Sequence, residues 1–248
     1  SEYGYNLSFV YMNRNTPFEA QEMQLRSSDC RGFLIFGVEM QREDLQVFID
    51  TGLPFVVLDN SFQDSDVDSV AINNFQGISK AMQYAYDMGH REIGYIRCRQ
   101  RITSFSERYR AYKNCMKKYG LKVKENYIWD INYSEKTIRE EVGKYLSENK
   151  ENPTIFIAEN DFIACHAIHG MQDHGYRVPE DISVIGFDDR PVCQMIVPSV
   201  TTVNVPKNAF GSAAVELLIE KMQNPREYSM KTEIGTKLII RKSVIKLN

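Results

Sequence analysis

At 248 residues, 43% hydrophobic and 25% charged, the chain has ordinary globular composition and enough apolar material for one large or two modest cores. Its 30 basic residues are scattered among 33 acidic ones for a net charge of −3, which excludes a cationic face for gripping nucleic acid or a membrane surface. No stretch reaches membrane-spanning length, and the five cysteines (Cys30, Cys98, Cys115, Cys165, Cys193) are odd in number, far apart and without a C-x-x-C, which points to reduced thiols in the cytoplasm rather than a disulfide framework. The opening Ser1-Glu2-Tyr3-Gly4-Tyr5 reads as neither signal peptide nor initiator methionine, so further sequence is expected upstream.

In chain order, short apolar runs rich in Ile, Val and Phe predict buried strands at GFLIFG (32–37), PFVVLD (54–59) and SVAINN (69–74), followed by an amphipathic helix over 75–88. EIGYIR (92–97) leads to a helical pattern over 107–119, YIWDIN (127–132) to one over 135–149, and TIFIAEN (154–160) to one over 161–174. SVIGFDD (183–189) is the last strand read, and a final helical pattern covers 207–223. Gly89, Gly120 and Gly175 stand where helices stop. Alternation of strand and helix predicts an α/β fold with parallel sheets, right-handed crossovers and helices on both faces.

The strands end in polar residues: Asp59-Asn60, Asn73-Asn74, Arg97, Asn132-Tyr133, Glu159-Asn160-Asp161 and Asp188-Asp189. In open parallel sheets the carboxyl ends of the strands form the ligand crevice, so this clustering marks a candidate site. Any one of these residues also reads as a turn former or helix cap, and the recurrence carries the functional reading. Signatures of serine hydrolases, P-loops, zincins and dinucleotide folds are absent, and no cofactor is implied. His166 and His169 share a helix face at i, i+3 but lack a further ligand at convincing spacing, so no metal site is assigned. The Met and Tyr residues of AMQYAYDM (81–88) follow helical spacing and read as packing.

The stretch NPTIFIAENDFIACHAIHGMQDHGYRVPEDISVIGFDD followed by PSVTTVNVP, within 152–206, resembles the effector-binding domain of the LacI/GalR family of bacterial transcriptional regulators. The family pattern is A-N-D at a strand end, a helix ending G-x-x-V-P-x-D-I-S-V-x-G-F-D-D, then P-x-x-T-T-V. DVDSVAINNFQGISKAMQYAYDMGHREIGYI (66–96) and ERYRAYKNCMKKYG (107–120) support it, and the resemblance covers nearly the whole chain. It implies two flavodoxin-like (Rossmann-like) parallel-sheet subdomains of the periplasmic-binding-protein-like type I fold, joined by three chain crossings, with a ligand cleft between them. Residues 1–97 plus 206–227 would form the first subdomain and 98–205 plus 228–248 the second.

Carried over residue by residue, the resemblance gives Arg108 as the arginine that bonds ligand hydroxyls or carboxylates and Asp188 as the carboxylate accepting from hydroxyls, with Asp189 bracing the next turn. Asn160 would donate to and accept from the ligand, Tyr133 would pack flat against its ring, and Asn74 and Gln76 would face the cleft from the first subdomain. From the residues alone, Arg108 reads rather as a helix-surface ion pair with Glu107 or its neighbours, and Tyr133 as a loop aromatic over the core. The sequence departs from the family at Asn73-Asn74, where Asp-Asn is common, at Val205, and at Ala111, where R-x-x-G-Y carries glycine. YGYNLSFVYMN (3–13) resembles the end of the family's first helix and its second strand, leaving the central first strand outside the chain.

The implied function is the sensor and dimerisation part of a cytoplasmic transcriptional regulator, not an enzyme. Its partners would be a small sugar-like effector, a second copy of the chain, and operator DNA through an upstream helix-turn-helix unit, with no membrane involved. A solute-binding protein feeding a sugar transporter is the rival reading.

Overall fold

The structure is a computed structural model and describes residues 4–11, 30–100, 102–149 and 151–247. Its elements in chain order are β1 (Phe33–Phe36), α1 (Gln46–Asp50), β2 (Phe55–Leu58), β3 (Asp68–Ile72), α2 (Asn74–Asp87), β4 (Ile93–Cys98), α3 (Thr103–Lys118) and β5 (Ile128–Ile131). They continue with α4 (Glu135–Glu148), β6 (Ile155–Ala158), α5 (Asp161–Asp173), β7 (Ser183–Asp188), α6 (Val192–Met195), β8 (Thr201–Asn204), α7 (Lys207–Gln223), β9 (Lys231–Ile234) and β10 (Lys237–Ile239).

Two sheets organise these elements. The first has the order β1-β2-β3-β9 and is parallel throughout. The second has the order β10-β8-β7-β6-β4-β5, parallel except for the β10–β8 edge pair. Side chains alternating along β2 explain the first lobe: Val56 and Leu58 pack under Ala214, Leu217 and Leu218 of α7, while Phe55 and Val57 pack with Leu45 and Phe48 on the other face. In the second lobe Ile78, Ala81, Met82 and Ala85 of α2 join Tyr112 and Met116 of α3 over one face. Ile138 and Val142 of α4, with Ile163, Ala167 and Met171 of α5, cover the other. The expected α/β class and layering are present.

The chain passes between the sheets at three places, β3 to α2, β8 to α7 and β9 to β10. The passages do not fall where the sequence placed them. The stretch 74–97, assigned to the first subdomain, lies in the second: β4 is hydrogen-bonded between β5 and β6, and α2 packs on that same sheet. A Cβ at Gly94 would stand 2.4 Å from the Phe156 ring, so glycine there permits the close β4–β6 approach. Conversely β9, assigned to the second subdomain, pairs with β3 in the first sheet. Strands β8, β9 and β10 were not read from the sequence, and α3 begins at Thr103 rather than 107.

Residues 4–11 are exposed and form neither helix nor strand, so the strand expected across 3–13 is absent from its described part; residues 3, 12 and 13 lie outside the described residues. Cys98, Cys115, Cys165 and Cys193 are buried. Among the described residues no helix is long and apolar enough to cross a membrane, and no group of three or more metal-ligating side chains occurs.

Candidate functional site

The carboxyl ends of both sheets face one gap. From the first lobe come the loop after β1 and Asp59 after β2; from the second come the segments after β4, β6 and β7. Gln100 Nε2 donates to Glu39 Oε1 at 2.7 Å, bridging the lobes. A cavity of about 90 Å³ lies beside this bridge, lined by Val38, Glu39, Met40, Gln41, Gln100, Ile102 and Thr103. A larger hollow of about 440 Å³ is open between α4 and α5, lined by Glu135, Lys136, Arg139, Glu140, Asp173 and His174.

Arg108 forms the floor. It is 4% exposed on α3, its Nε donates to Asn74 Oδ1 at 2.8 Å and its Nη1 to the Glu159 carbonyl at 2.6 Å. Its Nη2 stands 3.4 Å from Asp188 Oδ1, and its guanidinium carbon lies 3.7 Å from the centre of the Phe187 ring. The fork is stacked and bonded in one orientation, which preorganises the cation. The ion-pair alternative with Glu107 is not what forms: Glu107 Oε2 instead accepts from Asn74 Nδ2 at 2.8 Å, so Asn74 separates the two charges.

Asp188 and Asp189 end β7 with positive φ, 111° and 51°. Such a backbone is uncommon in non-glycine residues and turns the two carboxylates apart. Asp189 is braced, accepting from Asn204 Nδ2 at 2.9 Å and Arg241 Nη2 at 2.7 Å; burial raises its pKa, but these two donors outweigh it and hold the group below the usual range. Asp188 faces the gap; burial raises it, and the attraction of Arg108, Lys207 and Arg190 only partly offsets the rise. Lys207 Nζ donates to the Asp188 carbonyl at 2.7 Å, tying the turn to the start of α7.

Asn160 is the N-cap of α5: its Oδ1 accepts from Ile163 N at 3.0 Å, and its Nδ2 donates to the Tyr133 hydroxyl at 3.1 Å. Tyr133 is 43% exposed, with its ring 4.8 Å from that of Phe162. Asn74 and Gln76 belong to α2 and therefore to the second lobe, not the first. Asn74 is in the Arg108 network, whereas Gln76 Oε1 accepts from Thr236 N at 2.8 Å and fastens the β9–β10 passage rather than the gap. The structure thus brings Arg108, Asp188, Asn74 and the Glu159-Asn160 turn together, places Tyr133 beside Asn160, and takes Gln76 away.

Two acids of the strand-end cluster were given no ligand role in the sequence reading. Asp59, with φ 59°, is carried to a pKa of about 6 by burial and by Asp188 and Glu107, against the pull of Arg108, which places it within electrostatic reach of all three. Asp161 lies beneath the Asp188 turn, accepting from Thr202 Oγ1 at 2.5 Å and Arg190 N at 2.7 Å, and burial raises it to about 6 despite those donors. A Cβ at Gly186 would fall 2.3 Å from Asp161 Oδ1, so the glycine of VIGFDD makes room for this carboxyl. The sequence signal for Asp59 was its place at a strand end; a turn aspartate gives the same signal.

Residues 82–244 match the model of the periplasmic binding protein-like domain. The HTH-type transcriptional repressor PurR of Actinobacillus pleuropneumoniae serotype 3 is 30% identical over 249 residues, covering 99% of this chain and 74% of that protein. A transcription regulator from Lactobacillus plantarum superposes with a TM-score of 0.85 at 22% identity, covering 99% of this chain and 92% of that one. A sugar-binding LacI-family transcriptional regulator from Escherichia coli, complexed with phosphate, has a TM-score of 0.80 at 25% identity over 92% of this chain and 82% of that one.

Proposed function

Because the chain belongs to the periplasmic binding protein-like family and is the effector-binding domain of a LacI-type transcriptional regulator, we propose that its interlobe gap takes a small, neutral, hydroxyl-bearing effector whose binding controls DNA occupancy. The observation that carries the ligand reading is the buried, fully oriented Arg108 with Asp188 beside it, a donor fork and an acceptor set for vicinal oxygens. Asn74 and Asn160 complete the polar lining, and Tyr133 supplies an apolar edge. None of these groups is arranged as a nucleophile with its base, which supports binding rather than catalysis.

In this reading the regulator works in the cytoplasm as a homodimer and meets operator DNA through a helix-turn-helix unit of the kind for which its relatives are named. Met195 and Val197, 80% and 81% exposed, with the Val197 carbonyl accepting from Gln172 Nε2 near the end of α5, are apolar side chains of the kind a second copy covers. A thermal-shift screen against sugars, sugar phosphates, nucleobases and nucleosides tests the ligand class: a neutral polyol should raise the melting temperature in a concentration-dependent way. A response confined to the phosphorylated compounds would refute the neutral-effector reading.

A further inference from the structure

Lys231 opens β9, and its ammonium ends in a ring of main-chain oxygens. Its Nζ donates to the carbonyls of Ser61, Val67 and Ser65 at 2.6, 2.8 and 2.9 Å, and the Phe62 carbonyl stands at 3.3 Å. A lysine ammonium carries three N–H donors, so the three nearer oxygens take one each and the fourth completes the shell electrostatically. All four oxygens belong to the loop between β2 and β3. That loop turns its polar backbone inward: Phe62 has a φ of 39°, Ser65 N donates to the Phe62 carbonyl at 2.9 Å, and the Ser65 hydroxyl is buried with no hydrogen-bond partner among the described residues. Desolvation draws the Lys231 ammonium below the usual lysine range against the attraction of Asp68 and Asp66, as befits a cation that has exchanged water for carbonyl oxygens.

We propose that the β2–β3 loop is a cage for a monovalent cation of ammonium or potassium size, and that Lys231 is its tethered occupant. Rings of backbone carbonyls replace the hydration shell of such ions in selective ion sites, and the three shorter contacts here suit ammonium or potassium. Calcium and magnesium take oxygens at roughly 2.0–2.6 Å and favour carboxylate ligands, which the cage does not offer. A surface lysine that merely neutralised the nearby acids would act through charge alone; a cage discriminates by size. Its position gives it a task. The loop runs on directly from Asp59 and Asn60, and Asn60 Nδ2 donates to the Gly37 carbonyl at 3.0 Å, so a filled cage fixes the rim of the gap after β1 and β2. The occupant comes from β9, which pairs with β3, so the rim is set only when that strand is in place. The cage is independent of what the gap binds.

Hydrogen–deuterium exchange on Lys231→Ala, read by mass spectrometry over residues 61–67 in the chlorides of potassium, ammonium, sodium and choline at one ionic strength, tests the cage. In choline the loop amides of the variant should exchange on the order of tenfold faster than those of the wild type. Potassium or ammonium should restore protection in a saturable way, and choline, too large for the ring, should not. The wild type should exchange alike in all four salts. Lys231→Thr, which keeps strand propensity, replaces the alanine variant if that one does not fold. The wild type supplies a second reading, since the Lys231 15Nζ group should give an NMR resonance protected from exchange with water, and this decides alone if neither variant folds. A variant loop indifferent to the identity of the cation, a wild type with the same cation preference as the variant, or a Lys231 ammonium exchanging as fast as a solvated lysine would each overturn the proposal.

Discussion

Arg108 donates to a side-chain amide and a carbonyl and lies against an aromatic face, so removing it strands its partners as well as the ligand. A helix-surface ion pair would be dispensable for the fold, whereas the buried network makes Arg108 part of it. The variant should lose roughly 3–5 kcal/mol in urea unfolding at neutral pH, because Asp188 keeps a buried charge without its nearest cation. Part of the loss should return in acid as Asp188 protonates, while effector affinity stays low at either pH. Asp161 gives a second test. Its raised pKa of about 6 means that its contribution to stability is intact below the ordinary carboxylate value and is lost as pH rises through about 6. Asp161→Asn should therefore flatten the stability profile between about pH 4 and about pH 6, measured by chemical denaturation; an unchanged slope would show that the group titrates normally.

Among the elements, the α5 terminus separates structural from ligand roles. Asn160→Ala removes the cap and should cost about 1 kcal/mol of stability, whereas Tyr133→Phe removes only the hydroxyl partner and should leave the denaturation midpoint within experimental error. The β2–β3 loop that carries Asp59 is held by Lys231 of β9, whose Nζ donates to the carbonyls of Ser61, Ser65 and Val67 at 2.6, 2.9 and 2.8 Å. Lys231→Met should destabilise by about 1–3 kcal/mol and speed proteolysis within this loop, since three oriented carbonyls lose their donor. Strands β1 to β7 were legible because each is a compact apolar run bounded by turn residues. TTVN was not, although it is internal and buried, because its threonines leave it a single apolar residue; KTEI and KLI were not, since both are short, partly exposed edge strands.

At the scale of the molecule, linkage requires that operator DNA change effector affinity by the same factor by which effector changes operator affinity, a coupling of about 1–3 kcal/mol. Calorimetry on a regulator carrying its DNA-binding unit, with and without operator, checks this; equal affinities would remove the coupling. On the proposed homodimer, Met195→Asp should lower the mass seen in light scattering toward that of one chain. Fold class and the polar rim of the gap could be read from the sequence, because period and strand ends are local. Lobe membership of α2 and β4 could not, since nothing in GISKAMQYAYD or IGYIRC says which sheet a strand joins; that is decided by the fit of Gly94 and Phe156. Nor could the electrostatic reach between Asp59 and Asp188, more than a hundred residues further along the chain.

The late position of β9 has a consequence for biosynthesis. Asp68 in β3 takes its charge partners from Lys221 and Arg226, and β3 takes its outer neighbour from 231–234, all made after strands β4 to β8 of the second sheet. The nascent first sheet therefore waits, one neighbour short and with an aspartate uncompensated, while roughly 150 further residues are translated at about 5–20 per second. That interval is when chaperones have most to shield, and a stop codon ahead of Lys221 would leave the first sheet without β9 and Asp68 without its cations.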